Sequence, residues 1–159
     1  MKNNCLTIVI ILSFLTGIAG LQAQTGNDKL DQVALAKQFC GKWRCDSSKD
    51  SSEIWIINSF GNGYDMHYKY TSGGNIFTEG KQLWGFDSKY GHFIVCTMDQ
   101  DGLLYKVTGE FTSNKKMYWE SIGLSDPRRV TRLDFEFISP DSFTILERKK
   151  VKVFHRIKE

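Results

Sequence analysis

The sequence predicts an all-β fold: a closed antiparallel up-and-down β-barrel of about eight to ten strands, preceded by one short N-terminal helix. Three observations predict it. Turn-forming clusters such as "GNG", "SGG", "DQDG" and "SPD" recur at short intervals from residue 46 onward, each able to supply the positive φ or the side chains that tight connections need. Apolar and polar residues alternate with period two between those turns. Beyond residue 40 no segment carries a helical period. Sequential strands joined so tightly either close on themselves or leave two unpaired edges, and closure removes the edges altogether.

The elements follow in chain order. "NDKLDQVALAKQF", from Asn27, offers an Asn or Asp cap and places Leu30, Val33, Ala34 and Phe39 at roughly helical intervals before Gly41 stops it. This predicts a helix of about three turns, serving as a lid or plug. Strands are predicted near Lys42–Asp46, Glu53–Phe60, Tyr64–Thr71, Ile76–Phe86, His92–Asp99, Leu103–Phe111, Lys116–Ser121, Thr131–Ser139, Ser142–Lys149 and Val151–Lys158. Alternation is cleanest in "GYDMHYKYT", where Tyr64, Met66, Tyr68 and Tyr70 share one face while Asp65, His67 and Lys69 share the other. "VTRLDFEFI" does the same, with Leu133, Phe135 and Phe137 opposed to Arg132, Asp134 and Glu136. A barrel of this many strands has an interior that side chains need fill only partly, leaving room for one small ligand.

The chain has 159 residues, the length of one domain. Lys2, the apolar run "CLTIVIILSFLTGIAG" and a small residue at Ala23 have the form of a secretory signal, so residues 1–23 are expected to be removed and the mature protein exported, to the periplasm or beyond. Residues 24–40 then form an N-terminal segment and 41–159 the barrel. The apolar run is short for a bilayer about 30 Å thick, and no span is expected in the mature chain. Cleavage removes one Lys and lowers the formal charge from +3 to +2. So balanced a surface gives no case for nucleic acid, which calls for a concentrated basic face. The basic cluster "ERKKVKVFHRIK" alternates with apolar residues and reads as the solvated face of a strand.

Cys40, Cys45 and Cys96 remain after cleavage, and an oxidising compartment permits one bridge among them; buried thiols or a single disulfide are both compatible with the spacing. Cys45 and Cys96 lie in β-patterned segments and could face each other. His67, His92 and His155 lie on separate strands without metal-ligand spacing, so no metal and no cofactor is expected. There is no Gly-x-Ser-x-Gly elbow and no phosphate-cradling loop, so no catalytic residues are assigned. Glu79, Glu110, Glu120, Asp134, Glu136 and Glu147 have basic neighbours, as surface cross-strand pairs do.

Gly41-Lys42-Trp43, after the helix and at the start of the first strand, resembles the Gly-x-Trp signature of the lipocalins and the wider calycin superfamily, most closely the small bacterial lipocalin-like proteins. The chain has no counterpart of the lipocalins' second, Thr-Asp-Tyr type signature. The resemblance implies that Gly41 lets the chain approach the barrel floor, that Trp43 closes that end, and that an Arg of the last strand, Arg156 or else Arg148, packs over the indole. It implies, too, a small apolar or amphipathic ligand inside the barrel. An alternative is a packed barrel acting through its exterior as an envelope or interaction module. A second resemblance, to the haem-binding nitrobindins, would make His155 an iron ligand. Aromatic residues make up 13% of the chain, and Tyr68, Tyr70, Trp84, Phe93, Tyr105 and Trp119 are the expected ligand-binding residues.

Overall fold

A computed structural model describes residues 29–122 and 130–158. The expected signal, the Asn27 cap and the turn "LSDPRR" lie outside these residues. Ten strands form one closed antiparallel barrel: β1 (Gly41–Ser48), β2 (Ser51–Phe60), β3 (Gly63–Ser72), β4 (Asn75–Asp87), β5 (His92–Asp99), β6 (Leu104–Phe111), β7 (Lys116–Ile122), β8 (Val130–Ser139), β9 (Ser142–Glu147) and β10 (Lys150–Arg156). Each pairs with its sequence neighbours, and β10 returns to β1, so among the described residues no strand is left as an edge. The meander is the one predicted, strand for strand, with ends shifted by a residue or two.

Closure rests on a short seam. β1 and β10 are in register only at Trp43 with Arg156 and at Arg44 with His155, extended by the Ile157 amide donating to the Lys42 carbonyl at 2.8 Å. Beyond the seam, β1 has an irregularity between Asp46 and Ser48 in its pairing with β2. A bulged strand bends and twists away from its line.

The helix is shorter than the sequence predicts. α1 spans Gln32–Ala36 and tightens into a 3-10 turn at Lys37–Phe39. Its cap is Asp31, whose Oδ1 accepts from the Ala34 amide at 3.0 Å. The buried face is Gln32, Ala36 and Phe39, while the expected core residue Ala34 is exposed. Gln32 accounts for the difference, because its amide pairs with Phe111 as a strand neighbour would. Its Nε2 donates to the Phe111 carbonyl at 3.0 Å and its Oε1 accepts from the Phe111 amide at 2.7 Å. These bonds satisfy the end of β6 and turn the helix so that Phe39 enters the barrel.

Phe39 is wholly buried, with ring centroids 4.7 Å from Phe137, 5.4 Å from Phe143 and 5.5 Å from Trp84. Below it Trp43 packs edge-on against Phe143 at 4.8 Å and donates its Nε1–H to the Phe39 carbonyl at 2.7 Å. Arg156 covers the indole, its Cζ 4.1 Å from the ring centroid. Its guanidinium donates to the carbonyls of Cys40, Gln38 and Pro140. Gly41, at φ +123°, leaves the space this guanidinium needs; a Cβ there would strike Nη1. Arg148, the other candidate for this role, lies in the turn between β9 and β10 at the opposite end of β10.

Candidate functional site

Inward positions continue above the plug, but their chemistry changes. A pocket of about 330 Å³ occupies the far half of the lumen. Its walls are aromatic, with Trp55, Tyr68, Tyr105 and Trp119, and aliphatic, with Met66, Val107, Leu133 and Ile145. Glu53, Gln82, Ser121, Glu147 and Lys152 add polar groups. Strand pairing aligns several of them: Trp55 lies opposite Tyr68 on β3, and Tyr68 opposite Gly80 on β4. At Gly80 a Cβ would collide with the Tyr68 hydroxyl and with the Met98 carbonyl, so the missing side chain is what lets the phenol lie against the wall.

The polar groups are tied to one another. Glu53, 9% exposed, accepts from Trp55 Nε1 at 2.7 Å through Oε1 and from Lys152 Nζ at 2.8 Å through Oε2. Burial works against the Lys152 ammonium, but the bond to Glu53 and the nearby Glu147 outweigh it and hold the lysine's pKa above its ordinary value. The pair also braces the seam, since it links β2 to β10 across the interior beside β1. Gln82 accepts from Trp84 Nε1 at 3.0 Å. An indole N–H can only donate, so this contact fixes which way the amide faces. Burial, aided by the adjoining Tyr105 hydroxyl, raises the Tyr68 phenol well above the usual tyrosine range and keeps it neutral.

The six expected ligand-binding residues divide between regions. Tyr68, Tyr105 and Trp119 line the pocket. Trp84 and Phe93 lie deeper: Trp84 packs edge-on to Phe39, and Phe93, fully buried, contacts Tyr64 and Phe86. Tyr70 instead borders a groove shared with Cys45, Asp46 and His155 beside the seam and packs against Phe77 at 5.7 Å. Glu53, Gln82 and Lys152 were not anticipated, although each has a signal in the sequence. Glu53 shares strand parity with Trp55 and Ile57, Gln82 with Trp84, and Lys152 with Phe154.

Other expectations are corrected. Cys45 is buried on the inner face and Cys96 exposed on the outer one, so they do not face each other; the three described cysteines are free thiols. His155, the residue a haem site would need, is exposed on the outer face, because inward Phe154 precedes it. Among the described residues no group of three His, Cys, Asp or Glu side chains is placed to hold a metal ion. Glu120 and Asp134 pair with Arg132, and Glu136 with Lys116, on the outer surface as expected. Glu147 departs from that pattern by lining the pocket.

No protein-family model matches the chain, and no curated protein matches it. The closed ten-stranded antiparallel barrel is consistent with a calycin-like fold.

Proposed function

We propose that this barrel binds one small apolar or amphipathic molecule in the open half of its lumen. The observation that carries the reading is the pocket of about 330 Å³ with four aromatic walls and a few fixed polar groups. Small-molecule sites share this composition, mostly apolar with a small number of placed hydrogen-bonding groups. The plugged half supports the reading by making the lumen a blind cavity, able to retain what it takes up. Export of the mature chain from residue 24 belongs to the same proposal and rests on the form of residues 1–23.

Native mass spectrometry of protein purified from its own host tests the binding directly. The expected result is a retained small molecule, displaced by an apolar fluorescent probe such as N-phenylnaphthylamine. Val107→Phe adds a ring to the pocket wall and should weaken the probe about tenfold or more while unfolding stays cooperative. Empty protein that ignores the probe would refute the reading. Export is tested separately, by sequencing the N-terminus of the secreted or periplasmic product, which should start at Gln24.

A further inference from the structure

Resting on the lumen reading above, we propose that the pocket selects a neutral ligand bearing a hydrogen-bond-accepting oxygen, of the ketone, ester or amide kind, over both hydrocarbons and carboxylates. Donors and acceptors around the pocket are out of balance. Both carboxylate oxygens of Glu53 are engaged, one by Trp55 and one by Lys152. The carbonyl oxygen of Gln82 is engaged by Trp84. These contacts engage the acceptors of Glu53 and Gln82 and leave donors behind.

Two buried donors in the same region have no partner, and the Gln82 amide adds further N–H groups. Trp119, 3% exposed and in the pocket wall, has an indole Nε1–H without a partner. Thr97, wholly buried on β5, has an unpartnered hydroxyl. It lies in register between Gln82 on β4 and Tyr105 on β6, both of which line the pocket. The Gln82 amide, with its oxygen turned to Trp84, presents its N–H groups on the other side. An indole N–H and an amide NH₂ cannot accept, so they are completed by an acceptor from outside the chain.

Charge decides which acceptor. Among the described residues Lys152 is the one basic side chain in the pocket wall, and Glu53 already neutralises it. Glu147 adds a second carboxylate to the same wall. A ligand carboxylate would meet no free counter-charge among the described residues and lose its hydration uncompensated. A carbonyl oxygen loses far less and meets the same donors. A hydrocarbon leaves them unmet, at the cost that buried unpaired groups carry.

The test uses three probes of one shape: acetylnaphthalene, ethylnaphthalene and naphthoate, titrated against the full mature chain by tryptophan fluorescence or calorimetry. Acetylnaphthalene should bind about tenfold more tightly than either of the others, the discrimination expected from one buried hydrogen bond. In Trp119→Phe, which keeps an aromatic ring but removes the donor, the preference for acetyl over ethyl should fall to about twofold or less. Thr97→Val keeps the side-chain shape and should also narrow the preference, giving a second reading if Trp119→Phe folds poorly. Equal wild-type affinities for acetyl and ethyl would overturn the proposal, as they would if the indole N–H were already satisfied by the neighbouring Trp84 ring. Tightest binding of naphthoate would overturn it as well, and so would a preference that survives both substitutions. If no probe of any kind binds, the lumen reading fails and this proposal falls with it.

Discussion

The two halves of the barrel are built from the same strands with the same alternation, yet they behave as different materials. At the plugged end Phe39, Trp43, Phe137 and Phe143 interlock through tilted and edge-on rings, and the polar atoms among them are satisfied by the chain itself. At the open end the strands lend Glu53, Gln82 and Lys152 to the interior, and the space between them stays unfilled. The contrast teaches that one half is closely packed and holds the fold together while the other leaves a cavity. Close packing stabilises through dispersion and removal of apolar surface from water, which a cavity forgoes.

The sharpest way to break this contrast is at the plug. Phe39→Ala removes a ring that touches five others and should cost about 4 kcal/mol of stability by urea denaturation. It should also open a second apolar space, so that two equivalents of an apolar probe bind where one did before. A loss below about 1 kcal/mol would mean that the ring adds little beyond the strand pairing itself.

A smaller effect is expected from the open half. Lys152→Met strands the Glu53 carboxylate in the lumen, and the loss should be about 2 kcal/mol, less than for a fully buried pair because the lysine side chain is 38% exposed. Glu53→Gln added to Lys152→Met should recover much of it, since a glutamine oxygen can still accept from Trp55. A double variant no better than the single one would show that the pair is held for its geometry and not for charge balance.

Arg156→Lys tests how the plug is sealed. A lysine keeps the charge but cannot reach three carbonyls at once while lying flat on the indole, so a loss of about 1 kcal/mol is expected, read from thermal unfolding.

The smallest effect is a pH dependence confined to the alkaline range. Tyr64 donates its hydroxyl proton to the Val33 carbonyl at 2.6 Å, tying β3 to the helix, and burial raises its pKa from 10.0 to about 12. A raised value means that folding favours the neutral phenol. Its stabilisation is complete below pH 10, where the unfolded tyrosine is also neutral, and is lost as pH climbs through 12. Stability measured against pH should fall across that window in the wild type and more shallowly in Tyr64→Phe. Parallel curves would remove Tyr64 as the cause.

Much of this was legible residue by residue. The alternation in "GYDMHYKYT" and "VTRLDFEFI" assigned Tyr64, Met66, Phe135 and Phe137 to the interior, where they are buried. The helix was harder. Its apolar spacing favoured Leu30, Val33 and Ala34, while its position is settled by Gln32, a polar residue whose partner lies 79 positions away in the chain. No local pattern reports a bond at that separation. The same limit applies to Trp84 and Tyr68: both were expected to line a pocket, and only their depth along the axis separates the plug residue from the wall residue.

By itself, then, the sequence determined the strands, their turns and which side chains point inward, because period two and turn chemistry are local properties of the chain. Tertiary structure alone decided how deep Phe39 sits, that β1 and β10 meet over so short a seam, and that Glu53, Gln82 and Lys152 converge in one cavity. The physical reason is that register around a closed barrel and the depth of a plug are set jointly by all ten strands, so no single segment encodes them.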